Sequence, residues 1–193
     1  MSSTWASVTS SRPALWLPGL LTAALLVGFP TSVAAKVFFS RSEALELAFP
    51  EADRVETETY ILDDVQVERI QRLARSELDS KLVKIYTGYR GSEVVGYAVI
   101  DIHNVRTLPE AFMVVLDPQG TVRSLRVLAF HEPLEFLPSD RWYNQFGEKT
   151  LAEPMKVGGD VHGVIGATLS ARATTRGVRR VLAYYEVLIQ EGL

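Results

Sequence analysis

The sequence predicts an α+β domain in which helices pack against an antiparallel sheet. Two consecutive pairs of β-rich segments predict the sheet, because a short turn joins the members of each pair into a hairpin. Segments with a helical spacing of apolar residues stand before and after these strands. Strands that follow one another, with helices at both ends, are typical of α+β domains rather than of alternating α/β domains.

The two predicted hairpins differ in the turn that joins their strands. In the first, the connecting loop contains Gly88-Tyr89-Arg90-Gly91. In the second, Asp117-Pro118-Gln119-Gly120 has proline second and glycine fourth, which fits a type I turn. The predicted strands are residues 82–86 and 94–102 in the first hairpin, and 111–116 and 122–130 in the second.

Local signals mark where the predicted helices begin. Ser40-Arg41-Ser42-Glu43 has the spacing of a capping box. After a predicted strand at 55–62, Asp63 or Asp64 is a candidate cap for a second helix, and Ser139 is one for a short third helix. The last helix has its apolar side at Val178, Val181, Leu182, Tyr185, Leu188 and Ile189, and its arginines, which fall largely off that side, are Arg172, Arg176, Arg179 and Arg180.

Composition excludes several classes of function. The chain has 193 residues, enough for one domain with a sizeable core, and its net charge of −3 gives no general case for nucleic-acid binding. It contains no cysteine, so disulfides, thiolate metal sites, cysteine nucleophiles and a lipoprotein anchor are excluded. Its three histidines lack the H-E-x-x-H spacing of a zinc site. We therefore predict no metal site.

Residues 1–35 have the layout of a secretory signal peptide. Arg12 is their only charged residue, an apolar stretch follows it, and Val33-Ala34-Ala35 places small residues at the usual cleavage spacing. The alternative is an uncleaved membrane anchor, because the apolar span approaches the length that crosses a bilayer. In either case we expect the rest of the chain to be exported, to the periplasm or to the outer face of the cytoplasmic membrane.

The most informative stretch is the run of small residues from Gly163 to Ser170, which ends where the last helix begins. Free backbone N–H groups and the positive end of the helix dipole suit such a position to a phosphate. The stretch lacks the Gly-Lys-Ser/Thr of a Walker loop, and its glycine spacing does not match a dinucleotide fingerprint.

A hydroxyl residue here is also an N-cap candidate, so the alternative is a glycine turn that caps the helix. A hydrolytic site with Thr168 as nucleophile and His162 as base lacks a nucleophile elbow.

Gly166-Ala167-Thr168 followed by Leu169-Ser170 resembles the flavinylation motif of the FMN-binding domain family. That family includes the C subunit of sodium-pumping NADH:quinone reductases and the G subunit of Rnf-type electron transport complexes. The resemblance covers roughly residues 95–190, and it implies a single FMN-binding-like domain over residues 36–193. It also implies that a separate flavin transferase attaches FMN to Thr168 through a phosphoester bond.

The resemblance assigns roles to the neighbouring residues as well. It implies that the backbone of Gly166 and Ala167 allows close approach of the cofactor, with Leu169 beside it, and that Ser170 is a candidate phosphate ligand. Glu132-Pro133 resembles the start of a Glu-Thr-Pro-Gly-like segment that lies near the isoalloxazine ring in the family. Glu132 is therefore expected to be a neighbour of the site. The alternative for Glu132 is a solvent-facing carboxylate at the end of a strand.

Two hypotheses about function follow. The first is an exported FMN-binding electron-transfer protein, more a flavin carrier or a subunit of a redox complex than a stand-alone enzyme. Its expected partners are a flavin transferase and a redox partner or membrane electron-transport complex, with no nucleic acid. The second is an exported interaction or scaffold domain of the same fold that binds no flavin. It is motivated by His162 and Ile165, which stand where the family usually has aspartate and Ser or Thr.

Overall fold

A computed structural model describes residues 36–192 of the protein. These residues form an α+β fold in which helices pack on a six-stranded antiparallel sheet, as the sequence predicts. The predicted signal peptide or membrane anchor at residues 1–35 lies outside the described residues. Within residues 36–192 no helix has both the length and the apolar character needed to cross a membrane.

The sheet has the strand order β1-β6-β5-β4-β3-β2, and all neighbouring strands are antiparallel. Its strands are β1 (Lys36–Val37), β2 (Arg54–Ile61), β3 (Leu82–Arg90), β4 (Glu93–Asn104), β5 (Pro109–Leu116) and β6 (Val122–Phe130). The α-helices are α1 (Arg41–Ala48), α2 (Asp64–Ala74), α3 (Asp140–Tyr143) and α4 (Thr168–Tyr184). Short 3-10 turns cover Leu134–Phe136 and Asn144–Phe146, and a π-helical segment, Tyr185–Gln190, continues α4.

Both predicted hairpins are present. The first turn is tighter than expected, because residues 88–90 belong to β3 and the chain reverses at Gly91, whose φ of 63° suits glycine. In the second turn, the Asp117 carboxylate accepts hydrogen bonds from the N–H groups of Gln119 and Thr121, at 2.9 and 2.8 Å. The predicted capping box forms at Ser40 before α1, and of the two candidate caps for α2 it is Asp63 that caps the helix, also in a capping box.

Side chains that alternate along β5 separate two parts of the core. Phe112 and Val114 belong to the larger part, together with residues of α2 and α4. Met113 and Val115 belong to a smaller part, together with Ala44 and Ala48 of α1 and Phe49. Because successive side chains of a strand point to opposite faces, the sheet has an α4 side and an α1 side.

Helix α4 lies closest to the sheet at Gly177. A Cβ atom placed there would lie 2.5 Å from Cζ of Phe112, so only glycine fits without a shift. Arg179 and Arg180 lie off the apolar side of this helix, as expected, but they are nevertheless buried, at 6% and 8% exposed. Arg179 donates to the carbonyls of Leu73 and Glu153, and Arg180 donates to Asp101 of β4, contacts that a helical apolar stripe alone does not indicate.

Candidate functional site

The predicted stretch at the start of α4 lines a small cavity. Its volume is about 160 Å³. One wall is formed by the loop between β4 and β5, and another by the 3-10 turn after β6. The lining residues are Val105, Arg106 and Phe136, together with Gly166, Ala167, Thr168, Leu169 and Ser170. The structure thus brings the five predicted residues of the motif together at one cavity.

The turn before α4 leaves backbone donors free at this cavity. Gly166 has φ of 82°, in the left-handed region, and the N–H of Ala167 donates to the carbonyl of Val164 at 3.1 Å. The first N–H of this segment bonded within the helix is that of Ala171, which donates to the carbonyl of Ala167. Among the described residues, the N–H groups of positions 168–170 have no hydrogen-bond partner. They carry the positive end of the helix dipole.

Thr168 is exposed and is the first residue of α4. Ala167 is the N-cap, without a side-chain capping bond, so Thr168 is not the hydroxyl N-cap that the alternative interpretation considered. The Thr168 hydroxyl has no hydrogen-bond partner within residues 36–192. It is therefore free to react or to bind a ligand.

Ser170 lies two residues further along the helix and points the other way. Its side chain is 1% exposed, and its hydroxyl donates to the carbonyl of Phe136 at 2.6 Å. The Ser170 proton is thus used to fix the cavity wall, which leaves its backbone N–H as the free donor at this position. Leu169, in contrast, is half exposed at the rim.

Glu132 holds the opposite wall of the cavity without lining it. One carboxylate oxygen, Oε1, accepts hydrogen bonds from the N–H groups of Arg106, Thr107 and Leu108, at 3.2, 2.9 and 3.0 Å. Burial raises the pKa of Glu132, but the three backbone donors outweigh it and lower the pKa below its usual value. Glu132 is only 6% exposed, so its interpretation as a solvent-facing carboxylate is wrong.

Arg106 and Phe136 complete the cavity, and the sequence did not indicate either of them. The guanidinium of Arg106 lies 5.8 Å from the ring centroid of Phe136. Among residues 36–192, Arg106 is the only charged residue that lines this cavity. Trp142 of α3 does not line this cavity; its ring is buried and its Nε1 donates to the carbonyl of His162 at 2.7 Å.

A second polar centre lies buried between α4 and the sheet. Nε and Nη2 of Arg180 each lie 2.7 Å from an oxygen of Asp101, and Nδ1 of His103 lies 2.8 Å from Oδ1 of the same carboxylate. Nε2 of His103 lies 3.3 Å from Oε2 of Glu110, although this N–H is not directed at the oxygen. The hydroxyl of Tyr143 donates to the other oxygen of Glu110 at 3.2 Å.

These groups perturb one another's ionisation. Burial lowers the pKa of His103, but its hydrogen bond to Asp101 and the proximity of the Glu110 carboxyl raise it more, so the net shift is upward. Burial raises the pKa of Asp101, and the hydrogen bonds from His103 and Arg180 lower it further than burial raises it. Burial also raises the pKa of Tyr143. The centre therefore favours a protonated His103 and a charged Arg180 facing an ionised Asp101.

Sequence reasoning missed this centre. The available signal was a pair of polar residues, Asp101 and His103, at alternate positions of a strand that is otherwise apolar on that side. Their partners lie on other elements, Glu110 on β5 and Arg180 on α4. No spacing rule for a single strand or helix therefore connects these residues to Asp101 and His103. Among the described residues, no group of three or more His, Asp or Glu side chains is arranged to hold a metal ion.

No protein-family model matches the chain, and a search of the curated proteins gives no match. The likeness around Thr168 to the FMN-binding domain family therefore stays a prediction.

Proposed function

We propose that this protein is an exported FMN-binding electron-transfer protein, with FMN attached through a phosphoester to Thr168. The observation that carries the proposal is the position of Thr168. Its hydroxyl is exposed, has no described partner, and belongs to a residue whose backbone N–H is a free donor at the start of α4. A phosphoester needs such a hydroxyl next to groups that stabilise the phosphate charge.

The surroundings of Thr168 suit a phosphate group. Three consecutive backbone N–H groups, at positions 168–170, are available at the positive end of the helix dipole. The guanidinium of Arg106, from the opposite wall, supplies a full positive charge. Glu132 takes its bonds from the backbone of the same loop, so it positions that wall without facing the phosphate.

The size of the cavity limits how much of FMN it would enclose. Pockets that bury most of a drug-sized ligand have volumes of about 300–1,000 Å³. At about 160 Å³ this cavity would hold the phosphate and adjoining atoms, and the ring system would extend beyond it. Leu169 at the rim and the fully exposed Ile165 offer apolar surface next to it.

Bound flavin would supply the redox chemistry, because the side chains found here do not carry electrons themselves. The protein would fix the phosphate end and leave the ring open to a redox partner. We infer that this partner is another protein or a membrane electron-transport complex, and that a separate flavin transferase makes the phosphoester.

The test is coexpression of the full chain with a flavin transferase of this specificity. We expect the purified protein to be yellow, to gain the mass of an FMN moiety, and to fluoresce on a denaturing gel. Thr168→Ala should abolish the fluorescent band and Thr168→Ser should keep part of it. Thr107→Ala is a matched control, because Thr107 is an exposed threonine on the neighbouring loop. A fluorescent band that survives in Thr168→Ala would place the attachment elsewhere.

The second hypothesis, an exported interaction or scaffold domain without flavin, has one observation in its favour. Ser170, expected to contact phosphate through its side chain, donates its hydroxyl proton to Phe136 instead. An absorbance scan separates the two hypotheses. A colourless wild-type protein after coexpression, with no FMN bound by titration, would support the scaffold domain and exclude the flavoprotein.

A further inference from the structure

The outer edge of β6 is open over most of its length. The two residues of β1 pair only with Phe130 and Ala129. The carbonyl of Leu128 accepts from the N–H groups of Phe38 and Phe39, and at the other end Val122 is bonded to residues 148 and 149. Between these points, within the part of the chain that the structure describes, no backbone group pairs with the outer side of residues 123–127.

This open segment forms the floor of a groove of about 620 Å³. Phe38 and Phe39 close one end of the groove, and Asn144 and Gly147 lie towards the other. Leu137 and Tyr143 form an apolar wall on one side. A strand edge of five residues is about 16 Å long at roughly 3.3 Å per residue, which is enough to pair with an added strand.

The two faces of the groove differ in character. Leu125 and Val127 pair with Val114 and Phe112, whose side chains lie on the α4 side of the sheet, next to the apolar wall. Arg126 pairs with Met113, whose side chain lies on the α1 side. Every second side chain of an added strand would therefore lie on the α4 side, against an apolar surface. The side chains between them would lie on the α1 side, beside Arg126.

The charges of the groove are unbalanced. Arg126 lies over the ring of Phe39, and Arg123 donates to the carbonyl of Val95 at 3.1 Å; neither forms an ion pair with a residue in 36–192. In the part of the chain that the structure describes, Asp140 is the one carboxylate that lines the groove. The local excess of positive charge stands against a net charge of −3 for the whole chain.

The opposite edge of the sheet is built differently. Edge strand β2 carries Arg54, Glu56 and Glu58, and an ion pair of 2.9 Å joins the first two. Charged side chains on an edge strand discourage pairing with other chains. Where the groove runs, the charged side chains of β6 are both arginines, Arg123 and Arg126, so this edge repels basic segments but attracts acidic ones.

We propose that the β6 groove binds an extended segment of a partner protein as an added strand, and that this segment alternates apolar and acidic residues. Backbone hydrogen bonds to residues 123–127 supply the affinity, and the two faces of the groove supply the specificity. The apolar residues lie against Leu125 and Val127, and the acidic residues face Arg126. This interaction does not depend on flavin.

The test uses two labelled nine-residue peptides and the full chain. One peptide alternates valine and aspartate, and the other alternates valine and lysine. Fluorescence anisotropy at low salt should show saturable binding of the aspartate peptide, with the lysine peptide at least about tenfold weaker. Hydrogen exchange should show new protection of the amides between residues 122 and 128. Protection elsewhere, or equal binding of the two peptides, would overturn the proposal.

A variant and a matched control complete the test. Arg126→Glu should weaken the aspartate peptide by roughly fivefold or more, while Arg172→Glu, an exposed arginine on α4 outside the groove, should change it by less than about twofold. Equal losses in both variants would mean that only net charge matters and would contradict the proposal. Protection of residues 122–128 without peptide, rising with protein concentration, would show that a second copy occupies the edge and would also overturn it.

Discussion

Arg180 of α4 and Asp101 of β4 form a buried bidentate ion pair across 79 positions of the chain. Both contacts are 2.7 Å long, and the two residues are 8% and 5% exposed. Three residues earlier on the same helix, Gly177 lets α4 approach the sheet closely. The pair therefore fixes the lateral position of α4, the helix whose start forms the candidate site.

Removing one partner of this pair should be strongly destabilising. Arg180→Met leaves Asp101 ionised and buried, with His103 as its remaining charged partner, and we expect a loss of about 3–5 kcal/mol in the free energy of unfolding. Urea denaturation measures it. Arg172→Met, at an exposed position of the same helix, should cost less than about 0.5 kcal/mol. A small effect of Arg180→Met would mean that water or another cation compensates Asp101.

His103 should make stability depend on pH. Its pKa is raised in the folded protein, so its contribution is complete below the unfolded value of about 6.5 and is lost as pH rises through the folded value. Urea denaturation from pH 5 to 9 should show this decline. His103→Gln should flatten the profile in that window, whereas His162→Gln, at an exposed position, should keep it. An unchanged slope in His103→Gln would assign the pH dependence to another group.

Asp101 should act at the acid end. Its folded pKa is lowered, so its stabilising contribution is present above the unfolded value of about 3.9 and is lost as pH falls through the folded value. Asp101→Asn should be less stable than the wild type at pH 6 and should lose less stability on acidification. The measurement is urea denaturation between pH 2.5 and 6. Parallel curves for the two proteins would contradict this assignment.

Gly177→Ala should destabilise the protein even though alanine favours helices. The new Cβ would lie 2.5 Å from Phe112 and 2.9 Å from Oδ1 of Asp101, and the overpacking should cost about 1–3 kcal/mol. We expect this cost to exceed the gain in helix propensity, which is about 1 kcal/mol. Thermal unfolding checks the sign. Gly163→Ala, where the added atom meets open space, is the matched control and should be nearly neutral.

Glu132→Gln should loosen the loop that forms one wall of the candidate site. The amide oxygen can replace the carboxylate as acceptor but without its charge, so the bonds to residues 106–108 weaken. Hydrogen exchange of these three amides should speed up, while exchange in the β3–β4 hairpin stays unchanged. If flavin is attached, its fluorescence polarisation should fall in the same variant. Unchanged exchange at residues 106–108 would show that Glu132 does not hold the loop.

The elements of the fold follow largely from local sequence. Capping boxes at Ser40 and Asp63 place the starts of α1 and α2, because a cap and its partner lie three residues apart. The Asp-Pro-Gln-Gly turn between β5 and β6 is likewise set by neighbouring residues. At the candidate site, the run from Gly166 to Ser170 identified by its small residues does line a cavity.

Tertiary structure decided what those residues face. Sequence spacing relates neighbours along one element, and it contains no rule that joins Arg180 to Asp101, Glu132 to the loop at 106–108, or Ser170 to Phe136. Each of these bonds links elements far apart in the chain. They form because packing α4 on the sheet buries polar groups, and a buried donor or acceptor without a partner is costly. The sequence determined the elements and the motif, and packing determined the partners.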